Sequence, residues 1–278
     1  MNKPALHFTH ANGIPSPSYG AFLAPLAGQF DIAAVATLGT DPRYPVAPGW
    51  DALVDQVIAD IQRRFDGRPV IGLGHSFGAL VTLMAAYRRP ALFAQVVMMD
   101  PPWVSGAAGA SLELVQALRL PLVDRLTPAG ITLRRRDRWP TREAARAALR
   151  GNRLFGDFDP QCFEDFLACG VVDDPLDGSV TLAIPKAVEA QIFRTVPAWW
   201  WRRPRKPPAL PVHLVTAEHS HFRAMGLPQR IARQYRIGCS VAPGSHMFPL
   251  ERPEHTAALV ARIIAAQEAV GVAAGVVA

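Results

Sequence analysis

The sequence is poor in cysteine, with three in 278 residues (Cys162, Cys169 and Cys239), an odd number at no CxxC spacing. That count excludes a disulfide scaffold, and free thiols in a reducing compartment are expected. Long apolar runs are lacking too. No stretch reaches the roughly twenty residues that a membrane-spanning helix needs, and the Ala/Val-rich end is interrupted by Arg262, Gln267 and Glu268. Met1-Asn2-Lys3-Pro4 runs into a short strand-like stretch without a long apolar core or a clear cleavage site, so a cytoplasmic protein is expected. Charged residues are sparse as well, 19% against 50% hydrophobic, which excludes disorder and suits a substantial buried core. The net charge of +6 is mild, and binding nucleic acid would require it to gather on one face.

What the sequence does have is one stretch around which the rest is organised, residues 69–87. A short apolar run, Val70-Ile71-Gly72-Leu73, ends in Gly74-His75-Ser76-Phe77-Gly78 and passes directly into an alanine-rich helical pattern. A strand, a sharp turn carrying one serine, and a helix follow from that order. The turn strains the serine backbone, so its neighbours two residues away on either side must be small, as Gly74 and Gly78 are. The hydroxyl is thereby lifted above the C-terminal edge of a sheet, with a helix N-terminus aimed at it.

Either side of this stretch the chain alternates. Strands are expected at Ala5–Thr9, Phe30–Thr37 and Ala94–Met99, a short helix at Tyr19–Ala27, and a longer one at Trp50–Phe65 from its apolar spacing. Such alternation implies a parallel sheet covered by helices on both faces. From Trp103 to Pro208 the rhythm breaks into helical patterns at Ser111–Leu120, Thr141–Arg150, Pro160–Cys169 and Lys186–Phe193. Strands at Pro211–Thr216 and Ile237–Ala242 then resume, with helices at Leu227–Tyr235 and from Pro253 to Ala269. The organisation expected is a core of residues 1–102 and 209–278, with a mostly helical cap, 103–208, inserted into it. Arg202–Pro208 would be a proline-stiffened return linker.

Framed in this way, Gly74-His75-Ser76-Phe77-Gly78 resembles the nucleophile elbow of the α/β-hydrolase fold, and the resemblance extends from Leu6 to Ala269, faintly in the cap. It implies capped serine-hydrolase architecture, α/β, with a shortened, mostly parallel sheet of about six strands. A serine needs a base to take its proton, and a carboxylate to hold that base in one tautomer. The loop Gly244-Ser245-His246-Met247-Phe248-Pro249 resembles the family's histidine loop and makes His246 the base. His75, at the elbow's variable position, reads as structural. The oxyanion hole implied is the N–H of Phe77 with one from His10-Ala11-Asn12, Asn12 by preference and Ile14 otherwise. The acid is open between two residues. Where many members carry Gly-Glu-x-Asp, this chain has Ala217-Glu218-His219-Ser220, so the candidates are Asp100, at the end of the strand after the serine helix, and Glu218.

The activity implied is cleavage of a carboxylic ester through an acyl-enzyme, without metal or cofactor. Thioester, lactone or C–C bond cleavage and acyl transfer are alternatives on the same triad, and a non-catalytic receptor is the rival from another class. A serine rather than an aspartate at the elbow argues against a dehalogenase or an epoxide hydrolase. His213, Glu218, His219 and His221 match no zinc spacing. The arginine runs at 134–138 and 202–206 read as solvated surface or as a greeting for an anionic substrate. Trp199-Trp200-Trp201, with Trp139, Phe155, Phe158, Phe163, Phe166 and Phe193, would line a pocket for an apolar or aromatic small-molecule acyl substrate. No nucleic-acid partner and no membrane insertion are expected.

Overall fold

The structure, a computed structural model, describes residues 3–104, 106–175, 177–198, 200 and 209–273. Among the described residues nine strands follow one another: β1 (Ala5–Thr9), β2 (Asp31–Ala34), β3 (Val70–His75), β4 (Phe93–Met99), β5 (Arg138–Trp139), β6 (Val171–Asp173), β7 (Val180–Leu182), β8 (Val212–Ala217) and β9 (Gly238–Ala242). Six of them make one sheet in the order β2-β1-β3-β4-β8-β9, every neighbouring pair parallel. The six-stranded parallel sheet expected from the sequence is therefore present.

Both faces of this sheet are buried, and successive residues feed opposite cores. Val70, Val96, Met98, Val212 and Leu214 pack on one side, while Ile71, Leu73, Val97, Met99 and Val215 pack on the other. That is the period-two alternation of strand side chains, with apolar residues in both phases because helices cover both faces. The helix Asp51–Phe65 shows how a cover forms. Leu53, Val54, Val57, Ile58, Ile61 and Phe65 make one buried stripe, while Asp51 opens the helix and Arg63 and Arg64 close it, matching its dipole.

β2 is shorter than the expected Phe30–Thr37. Ser16 explains the early end: its Oγ donates to the Val35 carbonyl and its N–H to that of Ala36, which draws the chain away from the sheet. The segment between β4 and β8 contains the expected helices, at Gly106–Ala117, Arg142–Arg150, Pro160–Gly170 and Lys186–Arg194. Thr141 and Asp159 cap two of them through their side chains. It also holds β5, β7 and β6 as a small antiparallel sheet, so this segment is less purely helical than its sequence pattern suggests.

The aromatic residues of this segment divide between the two cores. Trp139, Phe155, Phe158, Phe163 and Phe166 belong to the face of the sheet that carries Ile71 and Leu73. Trp200 belongs to the opposite one and lies edge-on to Tyr87, 5.2 Å away, near the far end of the serine helix Phe77–Arg88. Trp200 therefore does not share a pocket wall with Trp139. Trp199, Trp201 and the linker 202–208 lie outside the described residues. Among the described residues no helix is long and apolar enough to cross a membrane.

Candidate active site

The elbow is built as its glycines require. Ser76 sits at φ 53° and ψ −122°, between the end of β3 and the first turn of Phe77–Arg88. A Cβ on Gly74 would fall 2.6 Å from the Ala79 Cα, and one on Gly78 would fall 2.3 Å from the Thr9 carbonyl oxygen. Neither obstacle is a side chain that can swing away. The Gly78 contact also locates the loop after β1, because the His10 carbonyl lies 2.4 Å from the same point.

Three loops leaving the C-terminal ends of β3, β4 and β9 bring their side chains together. Ser76 Oγ lies 2.8 Å from His246 Nε2, and His246 Nδ1 lies 2.6 Å from Asp100 Oδ2. A carboxylate only accepts, so Nδ1 carries the proton and Nε2 is left to accept from the serine hydroxyl. Ser76 and Asp100 are buried, while the His246 side chain is about one-third exposed (34%), opening the site from the imidazole side.

Asp100 is held by more than the histidine. Its Oδ1 accepts from Thr216 Oγ1 (2.9 Å) and the Ala217 N–H (3.3 Å), and its Oδ2 accepts from Ser220 Oγ (2.7 Å). Its backbone takes the left-handed φ of 42°, a region that aspartate tolerates, directly before Pro101-Pro102. Burial works to raise its carboxyl, but the hydrogen bonds from His246, Ser220 and Thr216 outweigh burial and hold it below the usual carboxylate range. Glu218, the other candidate acid, is exposed; its N–H extends the pairing of β8 with β9. Ser220, which stands where the family's pattern led one to expect an aspartate, thus donates to Asp100.

Phe77 is the first residue of its helix, so its N–H has no carbonyl within that helix to serve. Asn12 lies on the loop after β1, anchored by its Nδ2, which donates to the Glu189 carbonyl at 3.0 Å. Ile14, the other candidate on that loop, donates its N–H back to the Ala11 carbonyl at 3.1 Å and is thereby occupied. Gly13 stands at φ 78°, and a Cβ there would fall 2.4 Å from Glu189 Oε2. The glycine lets the helix Lys186–Arg194 approach this loop. Burial raises the Glu189 carboxyl above its ordinary range, against the opposing pull of Arg135.

Sequence reasoning missed several contributors. Glu251 accepts from the Ser245 N–H at 2.8 Å and from its hydroxyl, fixing the turn at Gly244 (φ 110°) that delivers His246. Its signal was only its place six residues after Ser245. His75, read as structural, is fully buried between Tyr19 and the main chain of His246. A cavity of about 110 Å³ runs from Asn12, Gly13 and Ile14 to Trp139, Phe155 and Phe166. A larger one, about 570 Å³, lies at the opposite strand ends around Val212 and Gly238, away from Ser76. Of the arginine run, Arg135 pairs with Glu189, Arg138 pairs with Asp174 and Asp177, and Arg136 lines the smaller cavity. His213 hydrogen-bonds Ser240 at 2.8 Å, and among the described residues no group of three or more His, Cys, Asp or Glu side chains could hold a metal ion.

Known proteins share this architecture. E-2-(acetamidomethylene)succinate hydrolase superposes with a TM-score of 0.71 over 95% of this chain and 92% of its own, at 21% identity. The thioesterase domain from the curacin biosynthetic pathway does so at 0.68 over 93% and 91%, at 14% identity. Among curated sequences, the type I acyl-CoA thioesterase mpaH of Penicillium roqueforti is 38% identical over 101 residues, 35% of this chain and 20% of that protein. An abhydrolase domain-containing protein of Alternaria alternata, AFT2-1, is 34% identical over 125 residues, 41% of this chain and 40% of its own. The chain thus matches well under two-thirds of the length of these curated relatives. The sequence pattern of the alpha/beta hydrolase family matches residues 8–260, and the chain belongs to that family.

Proposed function

We propose that this protein is a serine hydrolase that cleaves a carboxylic ester through an acyl-enzyme. The observation that carries the reading is the continuous hydrogen-bonded line from Ser76 through His246 to Asp100. In this reading Ser76 Oγ attacks the carbonyl carbon as His246 Nε2 takes its proton, and the carbonyl π electrons move onto oxygen. The N–H groups of Phe77 and Asn12 hold that oxyanion. Collapse of the intermediate expels the alkoxide, which leaves as the alcohol with the proton from His246. Water, deprotonated by the same imidazole, then releases the acid and restores Ser76. Asp100 keeps Nδ1 protonated and stabilises the imidazolium. The segment 103–208 acts as the cap, and the apolar cavity wall of Trp139, Phe155 and Phe166 beside Asn12 suits an apolar or aromatic acyl group.

Thioester cleavage by the same groups is the second reading, favoured by the likeness to the Penicillium thioesterase. Turnover of p-nitrophenyl esters of increasing acyl length, beside the matched acyl thioesters, separates the two and ranks the acyl chains. Wild-type turnover that disappears in Ser76→Ala is the expected result. Tight binding of these compounds without turnover would instead support a receptor on the same fold.

A further inference from the structure

A buried chain of hydrogen bonds connects the loop after β1 with the loop that carries His246. The Ala11 N–H donates to Tyr19 Oη at 3.3 Å, Tyr19 Oη lies 2.7 Å from His75 Nδ1, and His75 Nε2 lies 2.9 Å from the His246 carbonyl oxygen. Tyr19 and His75 are both fully buried. A carbonyl can only accept, so His75 Nε2 bears the hydrogen; the neutral ring then has a lone pair at Nδ1, and Tyr19 must donate to it. Tyr19 oxygen in turn accepts from Ala11. Each bond of the chain therefore has a single direction.

We propose that Tyr19 and His75 are positioning residues for His246: the Tyr19 hydroxyl donates to Nδ1 of His75 and holds that ring in line, and the His75 Nε2–H pins the His246 main chain so that its ring stays between Ser76 and Asp100. The inference rests on the role given to His246 above. Both residues act through the His246 carbonyl rather than its ring nitrogens, which are already taken by Ser76 and Asp100. Burial, with the neighbouring His246 adding to it, lowers the His75 pKa to about 3, so the ring stays neutral and the His246 carbonyl, which can only accept, keeps its hydrogen on Nε2. Loss of the Tyr19 donor would leave a buried lone pair at Nδ1 and release the ring from its line with the His246 carbonyl. The His75 and His246 rings are 5.3 Å apart, close enough for such a shift to move the base.

Tyr19→Phe removes only the hydroxyl. The ring nitrogens of His75 are read by ¹⁵N NMR, and the site by the rate at which a fluorophosphonate inactivates Ser76. Wild type should show His75 as the Nε2–H tautomer. Tyr19→Phe should keep the hydrogen on Nε2, shift the Nδ1 resonance as its hydrogen bond is lost, and slow inactivation at saturation about tenfold, with the half-saturating concentration little changed. His75→Gln places an amide N–H where Nε2 was and presents no Nδ1 for Tyr19 to hold, so in that background Tyr19→Phe should cost less than about twofold. An unchanged Nδ1 resonance in Tyr19→Phe, or equal rate losses in the two backgrounds, overturns the proposal. If Tyr19→Phe does not fold, His75→Gln must retain the rate and His75→Leu lose it; equal rates overturn the proposal. A wild-type protein inert to the fluorophosphonate would count against the serine-hydrolase reading, while the Nδ1 resonance would still decide whether Tyr19 holds His75.

Discussion

Asp100→Asn exchanges one oxygen for an amide nitrogen at nearly constant shape, and the surrounding donors dictate how the amide must lie. At the Oδ1 position Thr216 Oγ1 and the Ala217 N–H both donate, and the backbone N–H cannot turn away, so the amide oxygen takes that place. The NH₂ group then occupies the Oδ2 position, facing Ser220 and His246. Ser220 can rotate its hydroxyl hydrogen aside, but His246 Nδ1–H would meet a second donor. The imidazole escapes this by moving its proton to Nε2, which then points at Ser76 and can no longer accept its proton. A wrong-tautomer triad loses about 10⁴-fold in kcat, or ~5.5 kcal/mol of transition-state stabilisation. The assay is kcat for p-nitrophenyl butyrate, with thermal unfolding as a control that the variant remains folded. Glu218→Gln, an exposed change, should leave kcat within about twofold. Retention of more than a tenth of wild-type kcat in Asp100→Asn, or a comparable loss in Glu218→Gln, would refute this assignment of the acid.

Gly74→Ala should destabilise the fold by about 3 kcal/mol or more, because the new methyl meets backbone atoms of Gly78 and Ala79, and urea unfolding measures this. Arg135→Met leaves the buried Glu189 carboxylate without its cation and should cost about 3 kcal/mol; a urea midpoint equal to wild type would contradict it. Acid should weaken the protein through His10 and His75, whose folded pKa values burial lowers to about 4 and about 3. The unfolded chain binds these protons below about pH 6.5 and the folded one does not, so stability is complete above that pH. It then falls as the pH drops toward the folded values, by about 2 kcal/mol per histidine at pH 5. A urea midpoint that is flat between pH 7 and pH 5 would contradict this.

The elbow was legible in the sequence because its constraint is local: a strand, a strained serine and a helix leave glycine as the fitting choice at 74 and 78. The six strands were legible because each is an apolar run bounded by turn residues. β5 to β7 were not, being only two or three residues long, although Val-Val and Val-Thr-Leu around Asp174–Gly178 do form a weak hairpin signal. Asp100 could be put ahead of Glu218 but not settled on, since the choice depends on Thr216 and Ser220, which lie more than a hundred residues away along the chain. The Tyr19–His75 bond joins residues 56 apart with no motif between them, so only the packed core reveals it.

The most direct measurement of the central claim is the intact mass of the protein after treatment with a fluorophosphonate, followed by peptide mapping. The account predicts one adduct, located on Ser76, that does not form in Ser76→Ala and forms far more slowly in His246→Ala. No adduct on Ser76, together with undiminished ester turnover by Ser76→Ala, would contradict it.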